Sequence, residues 1–348
     1  MGRNIRNMVN THIVKAGKGL LGLIFLCGLY GCQSTAQNSK IIATAFNMTT
    51  AVQQKIMDHY APDDVIVQQN ILYDSDRRLG LDLYQPQNMT QLEQRPTVIW
   101  IHGGGWISGS REHARGYFKL LASKGYNVVS VQYQLAPQST YPSQLQQINM
   151  ALAYLQTHAS QYKIDPDQLY LAGDSAGANL ASHYAALLTN PVFARNSEFV
   201  PSIQPVQLKG LILHCGIYDL NAFVDTAPEK IKLIEWGVHN MVQAYTGDRR
   251  HDGEFLKKIS PIQHVTPNYP PVLISGGNKD FLTETQSYPF VQVLKANQVP
   301  VKEIFYSDSK AWLIHEYQFY MGKKESQQTF EQTLQFLQSP TGVLSNLN

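Results

Sequence analysis

The feature that most constrains the fold is the regular alternation of strand-like and helix-like segments from Asp64 onward. Continuous apolar runs such as TVIWIH, at Thr97–His102, are typical of strands buried inside a parallel sheet. Stretches with apolar residues at helical spacing, such as the one that follows Pro142, separate these runs. The pattern predicts an α/β protein with a mostly parallel central sheet flanked by helices. In such sheets, functional residues follow the carboxyl ends of the strands.

The length and charge of the chain limit the possible domain organisations and the classes of partner. We expect one large α/β domain over residues 61–340, with the irregular segment 217–262 as an insertion that caps a pocket. The formal net charge is +2, and no Lys/Arg-rich tract occurs, which argues against a nucleic-acid partner. These data do not predict the oligomeric state.

The amino-terminal segment differs from the rest. Its basic residues precede an uncharged, largely apolar run at residues 19–31, which predicts a signal peptide over residues 1–31. The run is shorter than the roughly 20 apolar residues that a membrane-spanning helix needs. Translation could begin at Met1 or at Met8. Residues 32–60 are rich in polar residues and predict a tether that leads into a first helix at about Ala51–His59.

A serine follows one of the predicted strands in the pattern G-x-S-x-G. Gly173 and Gly177 flank Ser175, and a helix-like stretch begins directly afterwards. In a strand–turn–helix context this pattern predicts a tight turn that projects the Ser175 hydroxyl above the sheet as a nucleophile. The two glycines allow the backbone to turn without a collision.

A serine nucleophile needs a base, and the base needs an orienting acid. Of the six histidines after Ser175, only His315 follows the last predicted strand, which is where the order Ser, acid, His requires the base. Asp280 lies in the loop after the preceding strand and is the predicted acid. Glu284 and Asp308 are weaker competitors for that role.

The sequence HGGGW, with three consecutive glycines, lies at the end of the strand Thr97–His102. The need for an oxyanion hole explains these glycines. An oxyanion formed by Ser175 needs backbone N–H donors, and glycines leave their amides open to an approaching oxygen. Gly104, Gly105 and Ala176 are the predicted donors, and Gly103 permits the turn. His102 is predicted to brace the loop. Trp106 could be either a pocket wall or part of the core.

These motifs together resemble the α/β-hydrolase superfamily, and within it the hormone-sensitive-lipase-like carboxylesterases and related HGGxW esterases. The resemblance rests on HGGGW, YQLAP, DPDQLYLAGDSAGANLA, Asp280 and His315, and it extends from about Asp64 to Leu337. It implies hydrolysis of a small-molecule ester through an acyl-enzyme, with no metal and no organic cofactor. The chain departs from the family pattern at Gln134, where the family usually has Arg, and at Ala178, where it usually has Gly. Gln147 stands where the acidic partner of that Arg is often found.

The end of the predicted signal peptide resembles the lipobox of bacterial lipoproteins. Leu29, Gly31 and Cys32 fit the pattern, and Tyr30 fits it imperfectly. The resemblance implies cleavage before Cys32, lipidation of Cys32 and anchoring to a membrane of the bacterial cell envelope. Gln33, rather than Asp, follows the cysteine and favours the outer membrane.

Two alternatives to a carboxylesterase remain at this point. Some HGGxW hydrolases are aryl formamidases, so the scissile bond could be an amide of formic acid. The chain could also be a non-catalytic binding protein on a hydrolase fold, because a fold does not determine a function. The natural substrate, the acyl-chain length and the conformation of the cap are not predicted.

Overall fold

A computed structural model of the protein describes residues 34–88, 94–226 and 232–342. It contains an eight-stranded sheet whose spatial order is β1-β2-β4-β3-β5-β6-β7-β8. β2 pairs antiparallel with β1 and β4, and the six strands from β4 to β8 in that order run parallel. The strands are β1 Val65–Asp74, β2 Leu79–Pro86, β3 Arg95–Ile101, β4 Asn127–Val131, β5 Ile164–Asp174, β6 Leu208–His214, β7 Val272–Gly276 and β8 Val301–Phe305.

Helices cover both faces of this sheet, so the predicted fold class is confirmed. Side chains alternate across each strand. Ile99 and Ile101 therefore pack on one face, whereas Val98 and Trp100 pack on the other. The helices are α1 Thr35–Tyr60, α2 Arg115–Ser123, α3 Ser143–Thr157, α4 Ala176–Thr189, α5 Pro191–Asn196, α6 Leu220–Asp225, α7 Lys232–Thr246, α8 Gly253–Lys258, α9 Tyr288–Ala296 and α10 Lys324–Gln338.

The first helix is longer than the sequence predicts. The expected polar tether is already helical from Thr35, because Ser34 caps the helix and forms a capping box with Gln37. Few strongly apolar residues occur before Ala51, which is why the sequence predicts a tether there. Tertiary contacts stabilise it instead. Asn38 Nδ2 donates to Asn240 Oδ1 of α7 at 2.8 Å, and Asp58 pairs with Arg115 of α2.

The segment between β6 and β7 contains the three helices α6, α7 and α8. These residues are the predicted cap insertion, 217–262, of which residues 227–231 lie outside the described part of the chain. Whether the insertion covers a substrate pocket stays a prediction. Within the described ranges, no helix has the length and apolar character needed to cross a membrane.

Candidate active site

Ser175 lies at a strained turn between β5 and α4. Its backbone angles are φ 52° and ψ −120°, a conformation that non-glycine residues rarely adopt. The amide of Ser175 donates to the carbonyl of His214 at 2.9 Å, which ties the turn to the end of β6. A Cβ atom at Gly173 would collide with the backbone of Gly177. The sequence between β5 and α4 therefore has the local geometry that a projecting serine requires.

The loop after β3 brings several glycine amides to the same edge of the sheet. Gly104 and Gly105 have positive φ angles of 108° and 59°. Among the described residues, the amides of Gly104, Gly105 and Ala176 donate to no protein acceptor. Gly103 is different, because its amide donates to Asp174 Oδ2 at 2.9 Å. Three N–H groups are thus left for a ligand, and the predicted oxyanion role of these three residues stays a prediction.

His102 and Trp106 are buried side chains at the two ends of this glycine run. His102 Nδ1 lies 2.8 Å from the Gly103 carbonyl, and the ring stacks on Tyr133 at 4.2 Å between centroids. Burial lowers the pKa of His102 to about 4, so the ring is neutral at physiological pH. Trp106 is fully buried and stacks on Tyr245 of α7 at 4.4 Å. The sequence left Trp106 as either a pocket wall or part of the core, and in the structure it belongs to the core.

The loops after β7 and β8 bring an acid and a histidine together. His315 Nδ1 and Asp280 Oδ2 are 2.7 Å apart. The Asp280 side chain is 2% exposed, whereas the His315 side chain is 37% exposed and accessible from the sheet edge. The amide of Leu282 donates to the other Asp280 oxygen at 3.1 Å and fixes the carboxylate. Glu284 and Asp308, the two competing acids, are exposed.

His315 also has a buried thiol beside it. Cys215 directly follows β6 and is 1% exposed. Burial raises the pKa of the Cys215 thiol to about 11, so it is protonated at neutral pH. Desolvation opposes protonation of His315, but the charge of the Asp280 carboxylate and its hydrogen bond raise the pKa of the imidazole above the ordinary value.

A second histidine–carboxylate cluster lies next to the first. His113 Nε2 is 3.4 Å from Asp174 Oδ2 and 3.8 Å from Glu316 Oε2. Burial alone would lower the pKa of His113, but the nearby carboxylates of Asp174 and Glu316 raise that pKa to about 9. Burial raises the pKa of Asp174, yet His113 and Trp100 hold it below its usual range. Sequence reasoning missed His113 and Glu316; the one available signal was that Glu316 adjoins His315.

In the part of the chain that the structure describes, two groups of side chains have a composition compatible with metal binding. Cys215, Asp280 and His315 form one group, and His113, Asp174 and Glu316 form the other, with ligand atoms within 4.8 Å of one another. Protein contacts already engage both groups. His315 Nδ1 faces Asp280, and both oxygens of Asp174 accept hydrogen bonds from Trp100 and Gly103. The sequence prediction of no metal stays a prediction.

The remaining histidines after Ser175 contact other parts of the molecule. His214 Nδ1 lies 2.7 Å from Ser275 Oγ, and His264 stacks on Phe193 at 3.5 Å. His183 is fully buried in α4 between Tyr141 and Phe193. None of these three is paired with a carboxylate within the described ranges. Among the described residues, the histidines with a ring nitrogen within 4.0 Å of a carboxylate oxygen are His113 and His315.

Gln134 and Gln147 form a neutral version of the ion pair that the family usually has at these positions. Gln147 Nε2 donates to Gln134 Oε1 at 2.6 Å, and the Gln134 amide donates to Gln147 Oε1 at 2.8 Å. The two glutamines thus hold the chain after β4 against α3. The contact between these two side chains is uncharged, unlike the Arg and acid that the resemblance implies at these positions.

The parallel sheet and the turn at Ser175 define the class: the chain has the α/β-hydrolase fold. Residues 81–294 match the family profile described as BD-FAE. The match covers more than half of the sequence, and the chain belongs to the BD-FAE family.

Curated relatives and solved structures point to esterases. "Esterase LipC" of Mycobacterium tuberculosis is 28% identical over 230 residues, which are 65% of this chain and 54% of the relative. "Acetyl esterase" of Salmonella choleraesuis is 32% identical over 139 residues, 40% of this chain and 39% of the relative. The chain spans about half the length of the curated relatives that match it over more than 200 residues.

The solved structure of an inhibited esterase B from Lactobacillus rhamnosis superposes with a TM-score of 0.73 at 25% identity. That alignment covers 86% of this chain and 95% of the other. An esterase of Pyrobaculum calidifontis has a TM-score of 0.68 at 22% identity, over 86% of this chain and 92% of the other, and supports the fold alone.

Proposed function

We propose that this protein is a carboxylic ester hydrolase with Ser175 as nucleophile, His315 as general base and acid, and Asp280 as the residue that orients His315. The observation that carries the proposal is the 2.7 Å contact between His315 and Asp280 at the sheet edge where the strained Ser175 turn lies. The esterase names of the relatives and of the solved structures support the same reaction class.

The reaction proceeds in two halves. Asp280 accepts the Nδ1 proton of His315 in a hydrogen bond, which leaves Nε2 as the ring nitrogen that can take the Ser175 proton. The Ser175 oxygen then bonds to the ester carbonyl carbon, and the electron pair of the C=O bond moves to oxygen. The amides of Gly104, Gly105 and Ala176 stabilise that oxyanion. The C–O bond to the alcohol breaks, and His315 returns the proton to the leaving oxygen.

Water completes the cycle. His315 removes a proton from water, the hydroxide oxygen bonds to the acyl carbon, and the Ser175–acyl bond breaks with return of the proton to Ser175. The partial exposure of His315 is suited to this step, because water must reach the base.

The test of the nucleophile is Ser175→Ala. We expect a loss of roughly 10⁴–10⁶ in kcat on p-nitrophenyl esters. Ser182→Ala is the matched control, because Ser182 is a fully buried serine of α4, the helix that follows Ser175, and its hydroxyl donates to the Asn179 carbonyl. It is expected to keep wild-type kcat and fluorophosphonate labelling. A folded Ser175→Ala protein with near-normal hydrolysis would contradict the proposal.

A substrate panel and a covalent probe distinguish a carboxylesterase from the two alternatives, an aryl formamidase and a non-catalytic binding protein. An aryl formamidase would hydrolyse N-formylkynurenine faster than any member of a p-nitrophenyl ester panel. A non-catalytic binding protein would neither turn over the panel nor react with a fluorophosphonate. The acyl-chain profile from the same panel identifies the preferred ester size. Met241 of α7 and Phe46 of α1 lie where a side chain at Gly105 would point, so we propose that they limit that size.

We further propose that the chain is anchored to the bacterial envelope through a lipid on Cys32. Both the signal peptide and Cys32 lie outside the described residues, and the support is the sequence LYGC after the basic, then apolar, segment. The first folded element begins at Thr35, which leaves a very short connection to the lipid. Cys32→Ser should abolish labelling by a fatty-acid analogue and membrane fractionation; persistent labelling would contradict the anchor.

A further inference from the structure

His113 bridges the residues that adjoin the two proton-transfer groups of the proposed mechanism. Asp174 immediately precedes Ser175, and Glu316 immediately follows His315. His113 Nε2 lies between their carboxyl groups, 3.4 Å from one and 3.8 Å from the other. The His113 side chain is 3% exposed and Asp174 is fully buried, so the contact to Asp174 is shielded from water.

Asp174 extends this bridge to the glycine loop. One of its oxygens accepts from Trp100 Nε1 at 2.8 Å, and the other accepts from the Gly103 amide at 2.9 Å. Gly103 adjoins the proposed oxyanion donors Gly104 and Gly105. One carboxylate therefore contacts β3, the glycine loop and His113, and its residue is covalently joined to the nucleophile.

Glu316 anchors the other end. It is in the left-handed backbone region, with φ 58°, and its carbonyl accepts from Gln53 of α1 at 3.5 Å. Such a conformation persists only where the surroundings stabilise it. The contact with His113 is one of those stabilising interactions, and it acts one residue away from His315.

We infer that His113 is a positioning residue: by bridging Asp174 and Glu316 it holds the Ser175 turn, the glycine loop and the His315 loop in one arrangement. This inference rests on the proposed function, because it concerns the geometry of that reaction. His113 itself touches no reacting atom. Misplacement of reacting groups by about 1 Å can cost on the order of 10²-fold in rate, which sets the scale of the expected effect.

The first test is His113→Gln, which keeps a hydrogen-bond donor and removes the positive charge. We expect kcat per active site, counted by fluorophosphonate titration, to fall by roughly 10- to 100-fold while KM changes by less than about three-fold. The matched control is His183→Gln, which removes a fully buried histidine from α4, away from this cluster. It should lower the melting temperature and leave kcat per titrated site within about two-fold of wild type.

The second test is the dependence of kcat on pH, on the alkaline side of its maximum. The titratable groups that face His113 are Asp174 from β5, His102 from the end of β3, and Glu316 and His315 from the loop after β8. His113 loses its proton near pH 9, and the bridge then loses its charge, so kcat falls. Deprotonation of His315 has the opposite sign, because it generates the base. His113→Gln should lack the alkaline limb.

Glu316→Gln is the second variant should His113→Gln fail to fold, since the Glu316 side chain is 16% exposed and tolerates a neutral isostere. It is expected to lower kcat per titrated site by roughly three- to ten-fold. Wild-type kcat per titrated site and an unchanged alkaline limb in both variants would overturn the positioning role. A different result would contradict the proposed function itself, namely near-normal activity in folded Ser175→Ala.

Discussion

The molecule has two histidine–carboxylate pairs, His315–Asp280 and His113–Asp174, and their environments differ. Asp280 is buried, but its partner His315 is 37% exposed. The side chains of Asp174 and His113 are 0% and 3% exposed. A pair that must exchange protons with substrate and water needs access, whereas a fully enclosed pair keeps its charges fixed. The two pairs differ in length as well, 3.4 Å for His113–Asp174 against 2.7 Å for His315–Asp280, and only the shorter, exposed pair is open to a substrate.

Breaking the exposed pair should have the largest effect. Asp280→Asn preserves packing but favours the wrong tautomer of His315, and we expect kcat to fall by about 10⁴, the scale of the loss when the orienting acid of a serine-protease triad is replaced by its amide. Unfolding free energy should change by only about 1 kcal/mol, because one hydrogen bond to a partly exposed ring is altered.

The matched controls for this substitution are Glu284→Gln and Asp308→Asn, which alter the two exposed competing acids. Each should change kcat by no more than a few-fold. A collapse of activity in either control, with Asp280→Asn near wild type, would reassign the acid.

Breaking the enclosed pair should lower the free energy of unfolding much more than Asp280→Asn does. Asp174→Asn replaces an acceptor that serves Trp100 and Gly103 and leaves His113 without its anion. Removing one partner of a buried pair costs about 3–5 kcal/mol, which urea unfolding would measure. Equal loss of stability in Asp280→Asn and Asp174→Asn would show that the two environments do not differ as described.

The enclosed pair also predicts how stability depends on pH. The pKa of His113 rises from its ordinary value of 6.5 to about 9 in the folded protein. The folded state therefore holds a proton that the unfolded chain releases, and this contribution is fully present below pH 6.5 and lost as pH rises through about 9. The melting temperature should fall across this window and do so less steeply in His113→Gln. Identical slopes in the two proteins would contradict the assignment of charge to His113.

The smallest expected effect concerns the exposed pair. Because the pKa of His315 lies above its ordinary value, and the base must be neutral, kcat/KM should decline as pH falls through a midpoint above 6.5. Cys215→Ala removes a neutral thiol beside the ring and should leave this midpoint within about half a pH unit of wild type, because the charge that raises the His315 pKa is that of Asp280. A large downward movement would contradict the protonated state of Cys215.

Much of the fold and of the candidate site is local in the sequence. The turn at Ser175 depends on the small residues around it, and a short turn between Asp74 and Leu79 joins the antiparallel pair β1–β2. The first helix is underestimated from sequence because its stability comes from capping and from partners distant along the chain, such as Asn240. The same limitation hides His113, which lies 61 residues before Asp174 and more than 200 before Glu316.

The sequence by itself determined the order of elements, the parallel sheet and the positions of Ser175, Asp280 and His315 at strand ends, because strand hydrophobicity and turn chemistry are local properties. Only the tertiary structure decided which carboxylate meets which histidine and which pair is closed to water. Those outcomes depend on how separate loops pack at the sheet edge, and burial sets both the strength and the accessibility of a charge. A pattern of residue types along one chain carries no direct record of that packing.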